Sequence, residues 1–284
     1  MPRHALTFAA LIVLTAAAPV QAQIRDRDRR DSDDEWLARC DREAERSSRN
    51  RYSDDRYRSC DVRVETIEGR QRSLRVDPGQ NGGAKVIGWD RDEVEVHARI
   101  QAQARSQRDA DDAVRDVTIT TRRGEIRADG TDERGRSVSV SFVVYVPRQT
   151  DLEIETVNGP VGVEDVVGRM TLAARNGPIT LNAVGGDVRA RAQNGPLTVA
   201  LNGSRWEGEG LDAETVNGPV HLSLPRDYNA ELETGTQNGP AFIGFPMTVN
   251  IQGRLTHRIR TTLGRGGSRL RVVTTNGPLH VDRR

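Results

Sequence analysis

Asn-Gly-Pro occurs six times in the C-terminal half of this chain, and no other feature restricts its fold as tightly. The copies are Asn158-Gly159-Pro160, Asn176-Gly177-Pro178, Asn194-Gly195-Pro196, Asn217-Gly218-Pro219, Asn238-Gly239-Pro240 and Asn276-Gly277-Pro278, spaced 18, 18, 23, 21 and 38 residues apart. A period near 20 residues marks a solenoid, in which each unit buries its apolar face only against its neighbours. The flanks repeat with the corner. Three residues after each Asn stand Val161, Ile179, Leu197, Val220, Ala241 and Leu279, and five after stand Val163, Leu181, Val199, Leu222, Ile243 and Val281. Two residues before each Asn the side chain is small, Thr156, Ala174, Ala192, Thr215, Thr236 and Thr274, which suits an inward corner. Each unit therefore reads strand, corner, strand, with period-two alternation on both sides.

Asn-Gly between alternating strands ordinarily signals a hairpin. Proline argues against one here, because the residue after Gly in a type I′ turn must donate its N–H across the turn and proline has none. The expectation is an all-β, parallel β-helix-like solenoid of about 18 to 23 residues per coil, preceded by a β-rich N-terminal part. Its corners would place Asn or Gly in the left-handed region, with Pro opening the next strand. Equivalent residues then stack about 4.8 Å apart and the asparagines form an amide ladder. Stacking also predicts pairing of outward charges five and three residues before each Asn: Glu153 and Glu155 in the first coil, Arg189 and Arg191 in the third, Asp212 and Glu214 in the fourth. The third and fourth coils should face each other. Exposed pairs contribute roughly 0 to 1 kcal/mol each, so their value is in fixing register. Met247 to Gly267 lacks the motif and reads as an irregular coil or loop before the last repeat.

Upstream the chain changes character three times. Arg3 and His4, the apolar run Ala5 to Ala18 and Val20-Gln21-Ala22 describe a signal peptide over 1–22, cleaved after Ala22. That run falls short of the roughly 20 apolar residues of a membrane helix, so the expected mature chain has no span and is periplasmic or secreted. Residues 23–60 are almost all charge and cannot build a core alone. Trp36, Leu37 and Cys40 would share one face of a short helix over 34–46, but the favoured reading is a solvated, partly disordered arm. Cys40 and Cys60 are the only cysteines, and in an exported chain such a pair reads as a disulfide. Residues 61–150 form a β-rich lead-in, with strands at Val62–Ile67, Leu74–Val76, Lys85–Asp90, Val94–Ile100, Val117–Thr121 and Ser137–Val146, a brief helix at Ser106–Val114, and Trp89 plugging one end of the core. The repeat fills 151–284.

The segment Gly-Trp-Asp-Arg-Asp-Glu-Val-Glu-Val at 88–96, the strand-ending Val146-Pro147, the Thr-x-Asn-Gly corners followed by apolar-x-apolar, and Gly264-Arg265-Gly266-Gly267 before the final repeat together resemble the bacterial putative adhesin family. That family is a domain of unknown function with kinship to head GIN adhesin-like domains, and the likeness covers about residues 61–284. Members commonly carry Asp after the corner Gly where this chain has Pro, so no role of that carboxylate carries over. The resemblance implies an exported all-β solenoid with adhesion or envelope-stress roles and no established catalytic residues.

Nothing in the sequence supplies catalytic machinery. There is no nucleophile elbow, zinc-binding His pair on a helix, or phosphate-cradling loop. His221 and His280 share a repeat position, four after Asn, but in sequence order their coils are not adjacent, so no shared metal is expected. His97 lies in a strand and His257 in the irregular stretch. The enzyme alternative, a carbohydrate-active β-helix, would use Glu153, Glu155, Asp212 and Glu214 with Arg189 and Arg191. The favoured function is a non-catalytic, cofactor-free binding or scaffold module for an envelope protein or glycan, with envelope-stress sensing as a further alternative. A formal net charge of +1 disfavours nucleic acid as partner.

Overall fold

The computed structural model describes residues 20–49, 57–130, 135–245 and 258–284, with side chains over 32–46 in the first segment. Nearly all of the expected signal peptide, residues 1–19, lies outside the described residues, as do residues 247–257 of the expected irregular stretch, His257 among them.

Helix α1 (Val20–Arg49) leads into β1 (Tyr57–Ile67), β2 (Ser73–Asp77), β3 (Ala84–Trp89) and β4 (Val94–Ala104). Helix α2 (Gln107–Asp116), capped by the Ser106 hydroxyl accepting from the Asp109 N–H, precedes β5 (Thr118–Arg122), β6 (Glu125–Asp129) and β7 (Arg136–Pro147). The repeat region supplies β8 (Asp151–Asn158), β9 (Val161–Glu164), β10 (Val167–Asn176), β11 (Ile179–Asn182), β12 (Gly185–Asn194), β13 (Leu197–Ala200), β14 (Gly210–Asn217) and β15 (Val220–Leu224). It ends with β16 (Ala230–Asn238), β17 (Ala241–Ile243), β18 (Arg258–Leu263), β19 (Arg269–Asn276) and β20 (Leu279–Arg283).

Two ten-stranded sheets enclose one hydrophobic core. The first runs β1-β4-β7-β3-β9-β11-β13-β15-β20-β17, the second β18-β16-β19-β14-β12-β10-β8-β2-β6-β5. Each Asn-Gly-Pro corner joins a strand of the second sheet to one of the first, making a rung. Neighbouring corner rungs pair in parallel with the asparagines in register, so the advancing chain inferred from proline holds and the hairpin does not. The period-two pattern delivers its apolar set inward: Val161, Ile179, Leu197, Val220 and Leu279 are all buried. The end rung departs, leaving Ala241 exposed.

The asparagine ladder forms and is longer than the repeat. Each side-chain amide donates to the preceding carbonyl oxygen in the order Asn158 to Asn81, Asn176 to Asn158, Asn194 to Asn176, Asn217 to Asn194, Asn276 to Asn217 and Asn238 to Asn276, at 2.8 to 3.2 Å. Asn81 belongs to the supposed lead-in, whose β2 and β3 are a rung of the same two sheets, so no boundary at 150 divides the core. The corner conformation differs from expectation. No corner Asn has positive φ, and among the corner glycines only Gly277 does, at 153°. Glycine is required by stacking instead: a Cβ on Gly177 would sit 2.0 Å from the Gly159 carbonyl oxygen, and one on Gly195 2.2 Å from that of Gly177. The buried hydroxyls of Thr215, Thr236 and Thr274 donate to neighbouring corner carbonyls of Gly195, Gly277 and Gly218 from inside, at 2.8 to 2.9 Å.

Rungs do not stack in sequence order. The last rung, β19–β20, lies between β14–β15 and β16–β17, and the first, β2–β3, lies between β6–β7 and β8–β9. The outward row that holds the residue five before each Asn of the six repeats, continued by register into the flanking strands, accounts for both exchanges. Across the second sheet it aligns Arg122, Glu125, Arg75, Glu153, Thr171, Arg189, Asp212, Arg271, Glu233 and Arg260, which alternate in sign apart from the neutral Thr171. Sequential stacking would set Asp212 against Glu233 and Glu125 against Glu153. Like charges directly opposite are destabilising, and each exchange slots an arginine between them. The expected facing of the third and fourth coils is observed, with Arg191 2.5 Å from Asp212, while Arg189 turns to Asp187 at 3.7 Å.

Antiparallel strands close the stack: β4 and β1 beyond β7 and β5 beyond β6 at one end, β18 beyond β16 at the other. The last repeat is interior and caps nothing. Trp89 is buried outside the core cluster, tilted against Tyr145 with Arg91 over its ring, and does not plug the end. The N-terminal segment is also corrected, since helix α1 replaces the solvated arm. Cys40 and Cys60 form the expected disulfide, Cα atoms 6.6 Å apart, fastening α1 to β1.

Candidate functional site

The outer faces of the two sheets are chemically unlike. On the second sheet most of the groups named by the enzyme alternative are held in ion pairs: Asp212 with Arg191, Arg189 with Asp187, and Glu153 and Glu214 with arginines outside that set. Arg271, 16% exposed, lies 2.7 Å from Asp212, 2.9 Å from Glu214 and 3.8 Å from Glu233. Glu233, 5% exposed, also faces Arg269 at 2.6 Å, Arg260 at 3.3 Å and Arg258 at 4.0 Å. Glu153 pairs with Arg75 at 3.5 Å. Burial pushes the Asp212 carboxyl up, but hydrogen bonds and charge from Arg191 and Arg271 outweigh it and hold the group below its ordinary value; Glu233 is lowered in the same way by its arginines. A glycosidase acid needs the opposite shift.

On the first sheet the face opens into a trough of about 740 Å³. Its cross-strand row runs Val143, Lys85, Gly162, Thr180, Thr198, His221, His280 and Phe242, one per strand from β7 to β17. Small side chains make the floor, Gly162, Thr180 and Ala200 among them. Trp36 and Arg99 border it on the α1 side, and Arg284 on another. Polar groups along the trough are partly fixed: Asn182 donates to Glu164 at 3.3 Å, Lys85 faces Glu164 at 3.5 Å, and the Arg284 guanidinium donates to the Leu201 carbonyl at 2.6 Å.

Farther along the same row the rung exchange makes His221 and His280 neighbours, contrary to the expectation from sequence order. Their rings stack at 5.0 Å and 9°, and Phe242 stacks on His280 at 4.8 Å. Among the described residues no group of three His, Cys, Asp or Glu is placed to hold a metal ion. No helix among them is long and apolar enough to cross a membrane.

His97 is a buried ionisable group two residues from Arg99, which borders the trough. Its Nδ1 lies 2.5 Å from Asp33 of α1 and its Nε2 2.8 Å from Glu95. Burial pushes its pKa down, but the hydrogen bonds and charges of Glu95 and Asp33 together raise it above the ordinary value. Period two puts Glu95, His97 and Arg99 on one face, a signal legible in sequence; Asp33 and Trp36 come from a segment read as an arm. The corner residues are structural, as their stacking requires.

Fold and face together define an all-β domain of two parallel-rich sheets, with no closed barrel among the described residues and with a polar trough on one outer surface. Within that class the chain belongs to the Toastrack family DUF4097, whose model matches residues 58–282. It is similar in fold to a putative cell adhesion protein from Clostridium sporogenes ATCC 15579, at 7% identity and TM-score 0.36 over 80% of this chain and 100% of that one. A putative adhesin from Bacteroides fragilis NCTC 9343 matches at 8% identity and TM-score 0.33, over 80% of this chain and 97% of that one. A putative lipid binding protein from Parabacteroides distasonis ATCC 8503 matches at 8% and 0.28, over 79% and 97%. No curated protein matches the sequence.

Proposed function

We propose that this chain is an exported, envelope-associated, adhesin-like binding module without catalytic residues, built as a β-solenoid of 18 to 23 residues per coil, whose trough on the first sheet takes an extended glycan. The trough carries this reading. Its floor of Gly162, Thr180 and Ala200 advances one rung per about 4.8 Å, close to the repeat of a sugar in an extended chain. Hydroxyl and amide groups of Thr180 and Asn182 and the indole of Trp36 supply the hydrogen bonds and apolar surface by which sugars are held. Export is supported by the apolar, small-residue start of the chain and by the disulfide, which persists in oxidising compartments.

The test is a glycan array and an envelope-extract pull-down with the chain from residue 23, beside Thr180→Trp, which fills the floor from an exposed position. Saturable glycan binding that Thr180→Trp abolishes is expected. Binding unaffected by that substitution, or capture of protein alone, would overturn the glycan reading. Turnover of a bound polysaccharide would overturn the non-catalytic one.

A further inference from the structure

Trp36 reaches the trough from α1, and one helical turn earlier Asp33 enters a buried charge cluster. Its carboxylate faces His97 Nδ1 at 2.5 Å and accepts from Arg99 Nε at 2.8 Å, while His97 Nε2 lies 2.8 Å from Glu95. Ionised carboxylates only accept hydrogen bonds, so both ring nitrogens must donate, and only the imidazolium can do that. Among the described residues Asp33 and Glu95 are the anions facing this site and His97 and Arg99 the cations, β7 contributes Tyr145 edge-on at 5.6 Å, and β1 pairs uncharged Val64 with His97. The side chain of His97 is 5% exposed and that of Asp33 10%.

We propose that α1 is a tethered lid at the border of the trough, latched by protonated His97 against Asp33 and held to β1 by the Cys40–Cys60 disulfide, so that the trough widens at Trp36 as pH rises. Loss of the proton leaves a ring nitrogen lone pair facing a carboxylate oxygen, and repulsion replaces a hydrogen bond. Arg99 still holds Asp33 and donates to Ser32 at 2.8 Å, so the helix loosens around residues 32–36 and is not expelled. Cys40, seven residues past Asp33, keeps the rest of α1 in place. The sign follows from the raised value of His97: docking is complete below the undocked pKa and is lost as pH rises through the docked one. That the lid admits a glycan rests on the trough reading above; the latch itself does not.

Hydrogen exchange of the 32–39 amides, corrected for intrinsic rates, reads the latch without any ligand. Fluorine NMR of fluorotryptophan-labelled protein, with the Trp36 signal assigned by Trp36→Phe, reads its effect at the trough. From about pH 5 to about pH 9 protection should fall about tenfold for each unit by which docking raises the His97 pKa, and the Trp36 signal should move with the same midpoint. His97→Gln should lack both transitions while β10 and β12 amides stay protected. Should that variant fail to fold, Glu95→Gln should lower the midpoint instead. A pH-independent 32–39 segment in the wild type, or a transition surviving in His97→Gln, would overturn the latch. If the transition is present and no glycan binds, the trough reading fails and the latch stands.

Discussion

Arg271→Met tests the claim that sign alternation across the second sheet orders its rungs. Methionine keeps the length and apolar stem of the side chain and removes only the guanidinium. Asp212 would retain Arg191 at 2.5 Å, and Glu233 would retain Arg269 at 2.6 Å and Arg260 at 3.3 Å. Glu214 would keep no cation within ion-pair distance among the described residues. Hydrogen bonds to charged groups contribute about 1.5 to 3 kcal/mol each. Discounting two of them for the 39% and 29% exposure of Asp212 and Glu214 leaves an expected loss of about 2 to 3 kcal/mol. Arg271→Glu should cost more. It places a third like charge between Asp212 and Glu233, and a like pair at 4 Å with an effective dielectric of 20 adds up to about 4 kcal/mol before screening. Urea unfolding at low and high salt gives both numbers by linear extrapolation, and the difference between the variants should shrink with salt. Thr171 is the control, because its neighbours are Glu153 and Arg189. A charge of either sign meets one attraction and one repulsion there, so Thr171→Glu and Thr171→Arg should each stay within about 0.5 kcal/mol of wild type. The reasoning is refuted if Arg271→Met is as stable as wild type, or if Arg271→Glu is no worse than Arg271→Met.

Gly195→Ala should be disruptive, by about 3 kcal/mol or more in thermal or urea unfolding, because the new Cβ meets a backbone oxygen at 2.2 Å. Gly203→Ala, where nothing lies within 4 Å and only a φ of 67° opposes the change, should cost about 1 kcal/mol. Asn194→Ala removes one donated and one accepted ladder bond, at 3.0 and 2.9 Å, for an expected loss of about 1 to 2 kcal/mol. Because Asp212 and Glu233 have depressed folded values, the stability they contribute is present above the ordinary carboxylate range and is lost as pH falls through those values. Unfolding free energy should decline below about pH 4, and Glu233→Gln should be less stable at neutral pH with a flatter acid limb. Replacing Cys40 and Cys60 together by Ser should lower stability by about 3 kcal/mol, the expectation for a loop of about 20 residues.

The corner motif made most of the fold legible because its constraint is local. A proline that cannot donate and apolar residues at fixed offsets say how one rung meets the next, and Asn158, Asn176 and Asn194 stack as the 18-residue spacing implies. What escaped was nonlocal. The 38-residue gap before Asn276 reads as two periods of advance, whereas the chain passes one rung outward and returns to fill the space. The clue was present in Asp212, Glu233 and Arg271, but sign alternation becomes visible only when the rungs are compared in every order. Asn81-Gly82 belongs to the same stack, since a Cβ on Gly159 would meet the Gly82 carbonyl oxygen at 2.1 Å, yet no proline follows it to mark it as a corner. Trp36 and Asp33 were unreadable for a different reason. Their segment is so charged that its helix is defined by what it docks on, through the disulfide and His97, and little in its own pattern.

The two outer faces then divide the work of the molecule. A solenoid face must either satisfy its polar groups across rungs or leave them to something else. On the second sheet Glu153, Arg191, Asp212, Glu214, Glu233 and Arg271 are held in ion pairs across rungs, so a ligand there would compete with protein ion pairs. On the first sheet Lys85 pairs with Glu164 across β3 and β9, but the row from Val143 to Phe242 carries no alternating charge. Gly162, Thr180 and Ala200 line the trough, and their small volume keeps it open. Rung register is therefore secured on the second sheet, and under the proposed function recognition falls to the first. Substitutions on the second sheet should register as stability changes, and those on the trough floor as binding changes with stability intact.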